Sequence, residues 1–258
     1  MGQYCTAERD NHLLIVTINR PEVMNALHPP ANREMSEVFD AFAADPDLWV
    51  AIVTGAGDRA FSAGNDLKYQ ATGGDMSAQP TTGFGGLTSR WDLHKPVIAA
   101  VNGVAMGGGF EIALACDLII AAENARFALP EVRVGLAALA GGLLRLPRTI
   151  GTKRAMGMIL TGRHVPASEG YDLGFVTEVV PEGEALAAAR RWASMILEVS
   201  PMSVRASKQV VYDSFEHGGI RAATEARYSE VAAMRTSEDF IEGPRAFAEK
   251  RPPQWKGR

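Results

Sequence analysis

The chain has 258 residues, of which 47% are hydrophobic and 22% charged, proportions typical of a globular protein with one or two domains. Its formal net charge of −4 gives no support for nucleic-acid binding through bulk electrostatics. The sequence has neither a signal-peptide pattern nor an apolar run of about 18 residues, so we expect a cytoplasmic protein that does not cross a membrane.

The first elements alternate between strand and helix patterns. Residues 12–18 (HLLIVTI) predict a strand that ends before Pro21, because proline has no N–H to continue a ladder. Residues 31–44 carry apolar side chains at helical spacing, and residues 49–54 (WVAIVT) predict a second strand. Strand, helix and strand in this order indicate a crossover unit with parallel pairing.

The next segment, AFSAGNDLK at 60–68, contains a glycine inside a strand-like run. Gly64 indicates a bulge or a close backbone approach, which would turn the N–H of Asn65 outward. Asp66 and Lys68 stand where a short helix begins. Taken alone, this segment predicts a turn and no function.

Residues 71–87 (ATGGDMSAQPTTGFGGL) show no period and are rich in Gly, Thr, Ser and Pro. They predict a mobile loop rather than a domain linker, because regular patterns resume on both sides. Such a loop beside a site can act as a lid or as a wall of an acyl pocket. A disordered surface loop is an equal alternative.

The central segment at 95–117, KPVIAAVNGVAMGGGFEIALACD, predicts a buried strand at 97–101, a glycine turn at 107–109 and an apolar helix. The single charge of that helix is Glu111, and a lone buried carboxylate is costly unless it is paired, hydrogen-bonded or protonated. The glycines would expose N–H groups at the helix N-terminus to an anion or a developing oxyanion. The alternative is a tight turn against a packed neighbour.

A second carboxylate follows a further short strand at 118–122. Glu131 stands after Pro130, between apolar Leu129 and Val132, which predicts partial burial. Two carboxylates in one cleft can divide acid and base roles when their environments separate their pKa values. From spacing alone, two surface or salt-bridged glutamates are the commoner outcome.

The rest of the chain is mostly helical in pattern. The predicted helices cover residues 143–150, 153–160, 184–198, 203–215 and 220–234, and the predicted last strand lies within 174–180. Early strands followed by helices predict a core at 1–195 and a helical C-terminal region at 196–258. The two cysteines, Cys5 and Cys116, have no metal-site spacing, and Cys116 is expected in the core.

Together these segments resemble the enoyl-CoA hydratase/isomerase, or crotonase, superfamily over nearly the whole chain. The motifs occur in family order, and they are NRPEVMNAL (19–27), AFSAGNDLK (60–68), KPVIAAVNGVAMGGGFEIALACD (95–117), RFALPEVRVG (126–135), GGLLRL (141–146), LTG (160–162) and FAEKR (247–251). Seven motifs in the family order leave little room for a chance match.

The resemblance implies an α/β fold, a crotonase-like spiral of ββα units with a C-terminal helical trimerisation region. It places the acyl-CoA site in the core at 1–195 and assigns residues 196–258 to oligomerisation. A homotrimer or a dimer of trimers is the implied assembly, with no nucleic-acid or membrane partner. CoA belongs to the substrate, so no cofactor and no metal are expected.

The resemblance also implies a reaction. The thioester oxygen would accept hydrogen bonds from the backbone N–H groups of Asn65 and Gly108. Glu131 would exchange the proton at the α-carbon, and Glu111 would hold and activate the water that adds at the β-carbon. The implied enzyme is an enoyl-CoA hydratase, a lyase of fatty acid metabolism that adds water syn to trans-2-enoyl-CoA, giving 3-hydroxyacyl-CoA.

Other functions are also compatible with these motifs. A carnitinyl-CoA-like dehydratase or an enoyl-CoA isomerase would use the same two acids. A catalytically weak acyl-CoA-binding protein is the alternative from another class. The absence of any carboxylate between Glu131 and Arg145 argues against family branches with an additional acid there.

The implied substrate contacts follow motif positions, and they are Met24, Ala26, Ala63, Asp66 and Leu67, with Lys250 near a CoA phosphate of its own or a neighbouring subunit. Glu22 departs from the family, where a basic residue is common. The segment 132–144 also departs, because many hydratases have Pro-Gly near Ala138 and Leu139. That difference affects the expected acyl group more than the reaction type.

Overall fold

The computed structural model describes residues 2–258, whose strands form a six-stranded and a four-stranded sheet. The larger sheet has the order β1-β2-β3-β5-β7-β10 and the smaller one β4-β6-β8-β9. The strands are β1 (Cys5–Asp10), β2 (Leu13–Ile18), β3 (Val50–Gly55), β4 (Ala60–Ser62), β5 (Val97–Val101), β6 (Val104–Met106), β7 (Leu118–Ala122), β8 (Arg126–Ala128), β9 (Val165–Pro166) and β10 (Glu178–Val180).

Helices cover both sheets and fill the C-terminal part. They are α1 (Pro29–Ala44), α2 (Leu67–Ala71), α3 (Gly108–Ala115), α4 (Gly142–Ile150), α5 (Thr152–Ile159), α6 (Ala167–Leu173), α7 (Ala185–Leu197), α8 (Pro201–Asp213), α9 (Ile220–Glu225), α10 (Ser229–Arg235) and α11 (Glu238–Glu249). Short 3₁₀ turns are Pro21–Val23, Phe84–Gly86, Pro130–Val134 and Ser214–Glu216.

A two-strand unit followed by helix repeats along the chain. In each unit a strand of the larger sheet leads directly into a strand of the smaller one, as in β3-β4, β5-β6 and β7-β8. Successive units pair in parallel, with Ala51 opposite Val97 and Ile98 opposite Leu118. This is the spiral of ββα units that the resemblance predicts.

The strands β2, β3, β5 and β7 of the larger sheet are buried on both faces, and their side chains alternate between two clusters. Ala51 and Val53 of β3 face the core between the sheets, which also contains Phe110. Val50 and Ile52 face a second cluster, where the alanine-rich side of α7 covers the sheet. Full burial of one large apolar side chain contributes about 1.5–3 kcal/mol, so both faces stabilise the scaffold.

Most predicted elements match the structure closely. The strands expected at 12–18, 49–54, 97–101 and 118–122 correspond to β2, β3, β5 and β7 within one residue at each end. The helix expected at 31–44 begins two residues earlier, at Pro29, where a missing N–H costs nothing. The division at 195/196 falls within α7 and stays a prediction.

One predicted helix is wrong. Residues 220–234 form two helices, because the chain is extended at Ala226 and α10 starts anew. The side chain of Gln209, on α8, donates to the Ser229 hydroxyl at 3.1 Å and accepts the N–H of Glu230 at 2.8 Å. Gln209 thus accepts the Glu230 N–H, which in a continuous helix would donate to a carbonyl of the same helix.

The strand expected within 174–180 is β10. Several other elements have no clear sequence signal, namely β1, β6, β8, β9, α6 and α11. β1 is mostly exposed and polar, so it lacks the apolar alternation that marks a strand. Within residues 2–258, no helix is long and apolar enough to cross a membrane.

Candidate active site

The glycine turn between β6 and α3 forms the centre of the candidate site. The N–H of Gly107 donates to the carbonyl of Ala128, at the end of β8, at 2.9 Å. Gly108 is the first residue of α3, so its N–H has no acceptor inside the helix. That N–H carries part of the positive end of the helix dipole.

A second loop brings another backbone donor beside this turn. Asn65 bridges to Leu27, and the flanking contacts are Leu27 N–H to Gly64 O at 2.7 Å and Asp66 N–H to Leu27 O at 2.9 Å. The N–H of Asn65 therefore faces away from Leu27. Among residues 2–258 neither this N–H nor that of Gly108 has an acceptor.

Gly64 allows the two donor segments to approach. It has φ +86°, and a Cβ atom there would lie 2.5 Å from the carbonyl oxygen of Met106 and 2.8 Å from the nitrogen of Gly108. No larger residue fits this contact. The predicted close backbone approach at Gly64 is confirmed, and it sets the donors of Asn65 and Gly108 side by side.

Glu111 lies one turn into α3 and is 3% exposed. One oxygen of its carboxyl accepts the N–H of Gly142, the first residue of α4, at 2.8 Å. The pKa of Glu111 is raised from 4.5 to about 7, mainly because burial disfavours the ionised carboxylate; the charge of Glu131 adds to this rise, and the hydrogen bond from the Gly142 N–H opposes it. The expected burial of this carboxylate is confirmed.

Glu131 approaches the same glycine turn from the 3₁₀ turn that follows β8. A Cβ atom on Gly107, whose φ is +53°, would lie 2.9 Å from the Oε1 atom of Glu131. The Oε2 atom is buried and has no hydrogen-bond partner in the described part of the chain. Burial raises the pKa of this carboxyl also.

The two carboxyls therefore flank one glycine turn, as a two-acid site requires. Burial raises both pKa values, and the charge of Glu131 adds to the rise at Glu111, so the pair can hold one proton near neutral pH. The alternative of two surface glutamates is wrong for Glu111. Glu131, half-buried against Gly107, is not a surface residue either.

The loop at 71–87 is only partly irregular. Its first residues form the end of α2, residues 72–78 are largely exposed, and Phe84–Gly86 forms a 3₁₀ turn. The N–H of Gly85 donates to Asn32, on α1, at 2.8 Å, and the Phe84 ring packs on Gly108. The C-terminal part of the loop is thus a wall beside the glycine turn.

The sequence did not single out Arg145 or Trp91 as site residues. The Arg145 guanidinium lies 4.9 Å from the Trp91 ring centroid and donates to the carbonyl of Thr88 at 3.0 Å. Its Nη1 atom is buried without a partner in the part of the chain that the structure describes. The signal was present, because Arg145 is the one charged residue of the GGLLRL motif.

The residues implied in substrate binding lie mostly on one loop pair. Ala63 donates its N–H to the carbonyl of Met24 at 2.9 Å, and Leu67 is 43% exposed at the start of α2. Ala26 is buried beside them. Asp66 instead uses its carboxylate within the chain, pairing with Arg20 at 3.0 Å. Substrate contacts at these positions stay predictions.

Lys250 lies apart from them. It is exposed and caps the C-terminal end of α11. The chain end beyond it packs near Trp49, at the start of β3, where a Cβ atom on Gly257 would contact the indole. A contact of Lys250 with CoA, in its own or in a neighbouring subunit, stays a prediction.

Both cysteines are buried and free, and Cys116 is 6% exposed in the core, as expected. Among residues 2–258 no group of three or more His, Cys, Asp or Glu side chains is arranged to hold a metal ion.

Comparisons with known proteins agree with the fold and the motifs. The sequence profile of the enoyl-CoA hydratase/isomerase family matches residues 8–258. The carnitinyl-CoA dehydratase of Salmonella typhi is 43% identical over 262 residues, covering 100% of both chains. An enoyl-CoA hydratase structure from Mycobacterium tuberculosis is 39% identical, with a TM-score of 0.93 over 100% of both chains. A carnitinyl-CoA hydratase structure from Mycobacterium avium is 40% identical, with a TM-score of 0.79 over 100% of both.

Proposed function

Because the chain belongs to the enoyl-CoA hydratase/isomerase family, and is an enzyme of the hydro-lyase type, we propose that it adds water reversibly to a trans-2-enoyl-CoA, giving 3-hydroxyacyl-CoA. One observation carries this proposal. Two carboxyls with raised pKa values, Glu111 and Glu131, flank the glycine turn, where the N–H groups of Gly108 and of the neighbouring Asn65 have no acceptor among residues 2–258.

In this reaction the thioester carbonyl oxygen accepts hydrogen bonds from the N–H groups of Asn65 and Gly108. Negative charge grows on that oxygen when a nucleophile adds at the β-carbon. Two preorganised donors beside a helix N-terminus stabilise such an oxygen, and one donor contributes about 2.7–4 kcal/mol in other acyl chemistries.

The surroundings of the two carboxyls support different roles. The N–H of Gly142 donates to Glu111 and favours its ionised form. The buried Oε2 atom of Glu131 has no partner in residues 2–258, which favours the neutral acid. Because the pKa of Glu111 is raised to about 7, the pair shares one proton, and the reacting form is the one in which Glu131 carries it. In that form Glu111 is the base that takes a proton from water, and Glu131 is the acid that gives one to the α-carbon.

The proton balance closes in each direction. Hydration forms the bond from water oxygen to the β-carbon, moves one water proton to Glu111 and moves the Glu131 proton to the α-carbon. A proton exchange between the carboxyls through solvent then restores the starting state. Elimination of water uses the same groups in reverse, so the chain needs no cofactor for it.

The CoA moiety would pass along Met24, Ala26, Ala63 and Leu67, which border the Asn65 loop. Lys250 of a neighbouring subunit would approach a CoA phosphate. The wall at Phe84 and the segment 132–144 would then bound the acyl group.

The second candidate is dehydration of carnitinyl-CoA, favoured by the 43% identity to proteins of that name. One feature weighs against it, because the carnitinyl group carries a permanent positive charge. The Trp91 ring, a natural partner for a cation, is already occupied by the Arg145 guanidinium at 4.9 Å. If the acyl group lies beside Arg145, a second cation there would be repelled, and turnover of a neutral enoyl-CoA against carnitinyl-CoA distinguishes the two candidates.

The test measures the absorbance of the conjugated enoyl thioester with crotonyl-CoA and with longer trans-2-enoyl-CoAs. A parallel assay measures the dehydration of carnitinyl-CoA. With crotonyl-CoA we expect the absorbance to fall as the double bond is hydrated. In Glu111→Gln and Glu131→Gln we expect no such fall, although both variants still bind the thioester. The exposed Glu123→Gln is the matched control and should keep full activity.

Other outcomes would replace the proposal. Faster turnover of carnitinyl-CoA than of any neutral thioester would assign the second candidate. A double-bond shift without water uptake would indicate the isomerase. Binding without turnover, unchanged in both glutamine variants, would indicate an acyl-CoA-binding protein.

A further inference from the structure

The loop at 20–27 and the loop at 60–66 form one hydrogen-bonded unit. The fully buried side chain of Asn25 donates to the carbonyls of Ala56 at 3.0 Å and Ala60 at 2.7 Å. The Ser62 hydroxyl donates to the Asn25 carbonyl at 2.8 Å and accepts the N–H of Gly64 at 3.1 Å. The segment that precedes Asn65 is therefore held from the other loop.

This unit stores backbone strain. Met24 and Asn25 have φ values of +57° and +54°, in the left-handed region that side chains other than glycine seldom adopt. Such a conformation is unfavourable and persists only where its surroundings hold it. The contacts of Asn25 are those surroundings.

Arg20 connects the parts of the unit through both backbone and side chain. Its N–H donates to the Asn25 side-chain oxygen at 3.0 Å. Its guanidinium donates to the carbonyl of Ala26 and pairs with Asp66 at 3.0 Å, and the two side chains are 12% and 10% exposed. The Arg20 guanidinium therefore contacts both Ala26, which precedes Leu27, and Asp66, which follows Asn65.

Asp66 connects Arg20 to the backbone on either side of the Asn65 N–H. Its N–H donates to Leu27 O at 2.9 Å, and its carboxylate accepts the N–H of Tyr69, which caps α2, at 3.1 Å. The Gly64 carbonyl and the Asp66 N–H, on either side of Asn65, are therefore both hydrogen-bonded to Leu27. Arg20 holds the side chain of Asp66 and so restrains the peptide unit between Asn65 and Asp66.

We propose that Arg20 is a positioning residue that aims the Asn65 N–H at the thioester oxygen by holding Asp66 and the Ala26 carbonyl together. The inference rests on the proposed function, because it assumes that Asn65 is an oxyanion donor. Arg20 itself touches no reacting atom. Its planar fork spans two acceptors, which a lysine ammonium would serve less well.

The test measures how strongly the site polarises a bound thioester. A dimethylaminocinnamoyl-CoA probe shifts its absorbance to the red when its carbonyl accepts strong hydrogen bonds. We expect Arg20→Met to lose most of that shift and to lower kcat about 10- to 100-fold, with the dissociation constant of the probe changed less than about threefold. Arg20→Lys should recover part of both quantities.

The matched control is Lys208→Met. Lys208 pairs with Asp117 at 2.8 Å, and the two side chains are 15% and 17% exposed, so an ion pair of similar burial is removed far from Asn65. The red shift and kcat should stay at the wild-type values. If Arg20→Met fails to fold, the nearly isosteric Asp66→Asn replaces it, with a smaller loss of both readouts expected.

The outcomes separate the inference from the proposed function. A wild-type red shift that persists in Arg20→Met and Asp66→Asn, with a lowered Tm alone, would overturn the positioning role. A probe that binds the wild-type protein without any red shift would overturn the assignment of Asn65 and Gly108, and the inference with it.

Discussion

Glu111 is the residue with the largest unfavourable electrostatic environment in the candidate site. It is 3% exposed and faces the second carboxyl, and its hydrogen bond to Gly142 offsets that cost only in part. Its pKa is raised from 4.5 to about 7, so the folded protein binds a proton there more tightly than the unfolded chain does. This raised pKa lowers the stability of the protein above neutral pH, and in the proposed reaction it provides a base that titrates near neutral pH.

We predict that Glu111→Gln stabilises the protein above neutral pH. Stability is lost in the wild type as the pH rises from 4.5 to about 7, because the buried carboxyl must ionise. The variant avoids this loss, a gain of about 1–3 kcal/mol at pH 8 and little at pH 4. Denaturant unfolding at both pH values measures it, and an equal difference at both would contradict the prediction.

A second prediction concerns the coupling of the two carboxyls. Glu131→Gln should lower the pKa of Glu111, because the two carboxyls share one proton and its loss would no longer leave two like charges in one site. Infrared titration of the protonated carboxyl band reports this directly. The exposed Glu123→Gln should leave the titration of Glu111 unchanged, and an unshifted band in Glu131→Gln would mean that the carboxyls do not interact.

Among the elements, the turn between β6 and α3 shows how backbone conformation decides the position of a side chain. Gly107 adopts φ +53°, and the Glu131 carboxyl lies against its Cα because no Cβ intervenes. The 3₁₀ turn that carries Glu131 follows β8, which pairs with β6. Strand pairing and one glycine together bring acid and donor to the same place.

We expect Gly107→Ala to reduce kcat about 10- to 100-fold with CoA-thioester binding retained. The new Cβ atom would lie 2.9 Å from Glu131 Oε1 and would push the carboxyl away, and displacements near 1 Å can cost about 100-fold in rate. Gly157→Ala is the control, because a Cβ atom in that α5 position meets nothing within 4 Å. It should be neutral or stabilising. Equal rates in the two variants would refute the argument.

The attachment of β1 is a second property of an element. The Glu34 carboxylate, on α1, accepts the N–H groups of Gln3, Tyr4 and Cys5 at 3.0, 2.9 and 2.8 Å. Burial opposes ionisation of Glu34, but the hydrogen bonds, led by that of Cys5, outweigh it and lower its pKa. A polar, exposed strand is thereby fixed to the helix.

Glu34→Gln should loosen this strand by about 1 kcal/mol, a modest figure because the site is partly exposed. Since the pKa of Glu34 is lowered, its stabilisation is present above the unfolded pKa and disappears as the pH falls through the folded value. Hydrogen exchange of the β1 amides at neutral pH should accelerate severalfold. Unchanged exchange would show that the strand pairing with β2 is sufficient.

At the scale of the whole molecule, the C-terminal helices expose large apolar side chains. Phe215, Ile220 and Phe247 are 67%, 88% and 87% exposed. Exposed large apolar side chains are a common feature of interaction sites. It agrees with the expected trimer or dimer of trimers, which stays a prediction, and it places Lys250 next to Phe247 on the same helix.

We predict that Lys250 contributes to CoA binding across such an interface. Lys250→Ala should raise the KM for a CoA thioester about tenfold and leave the KM for the corresponding pantetheine thioester unchanged, because only CoA carries the phosphate. Lys256→Ala, a nearby exposed lysine, is the control. A native mass three or six times that of one chain is expected, and equal effects on both thioesters would exclude a phosphate contact.

The sequence by itself determined the family, the fold class and both glutamates. Glycine turns, apolar periodicity and motif order are local signals, so the strands β2, β3, β5 and β7 and the burial of Glu111 could be predicted from neighbours along the chain. The raised pKa of Glu111 follows from the same burial.

The tertiary structure alone decided features that depend on distant residues. Three contacts join segments that are distant in the sequence. They are the contact between Gly107 and Glu131, the ion pair of Arg20 with Asp66, and the Gln209 cap within residues 220–234. Such pairings depend on how packed layers bring the segments together, and hydrophobic patterning specifies the layers but not which polar side chains meet between them.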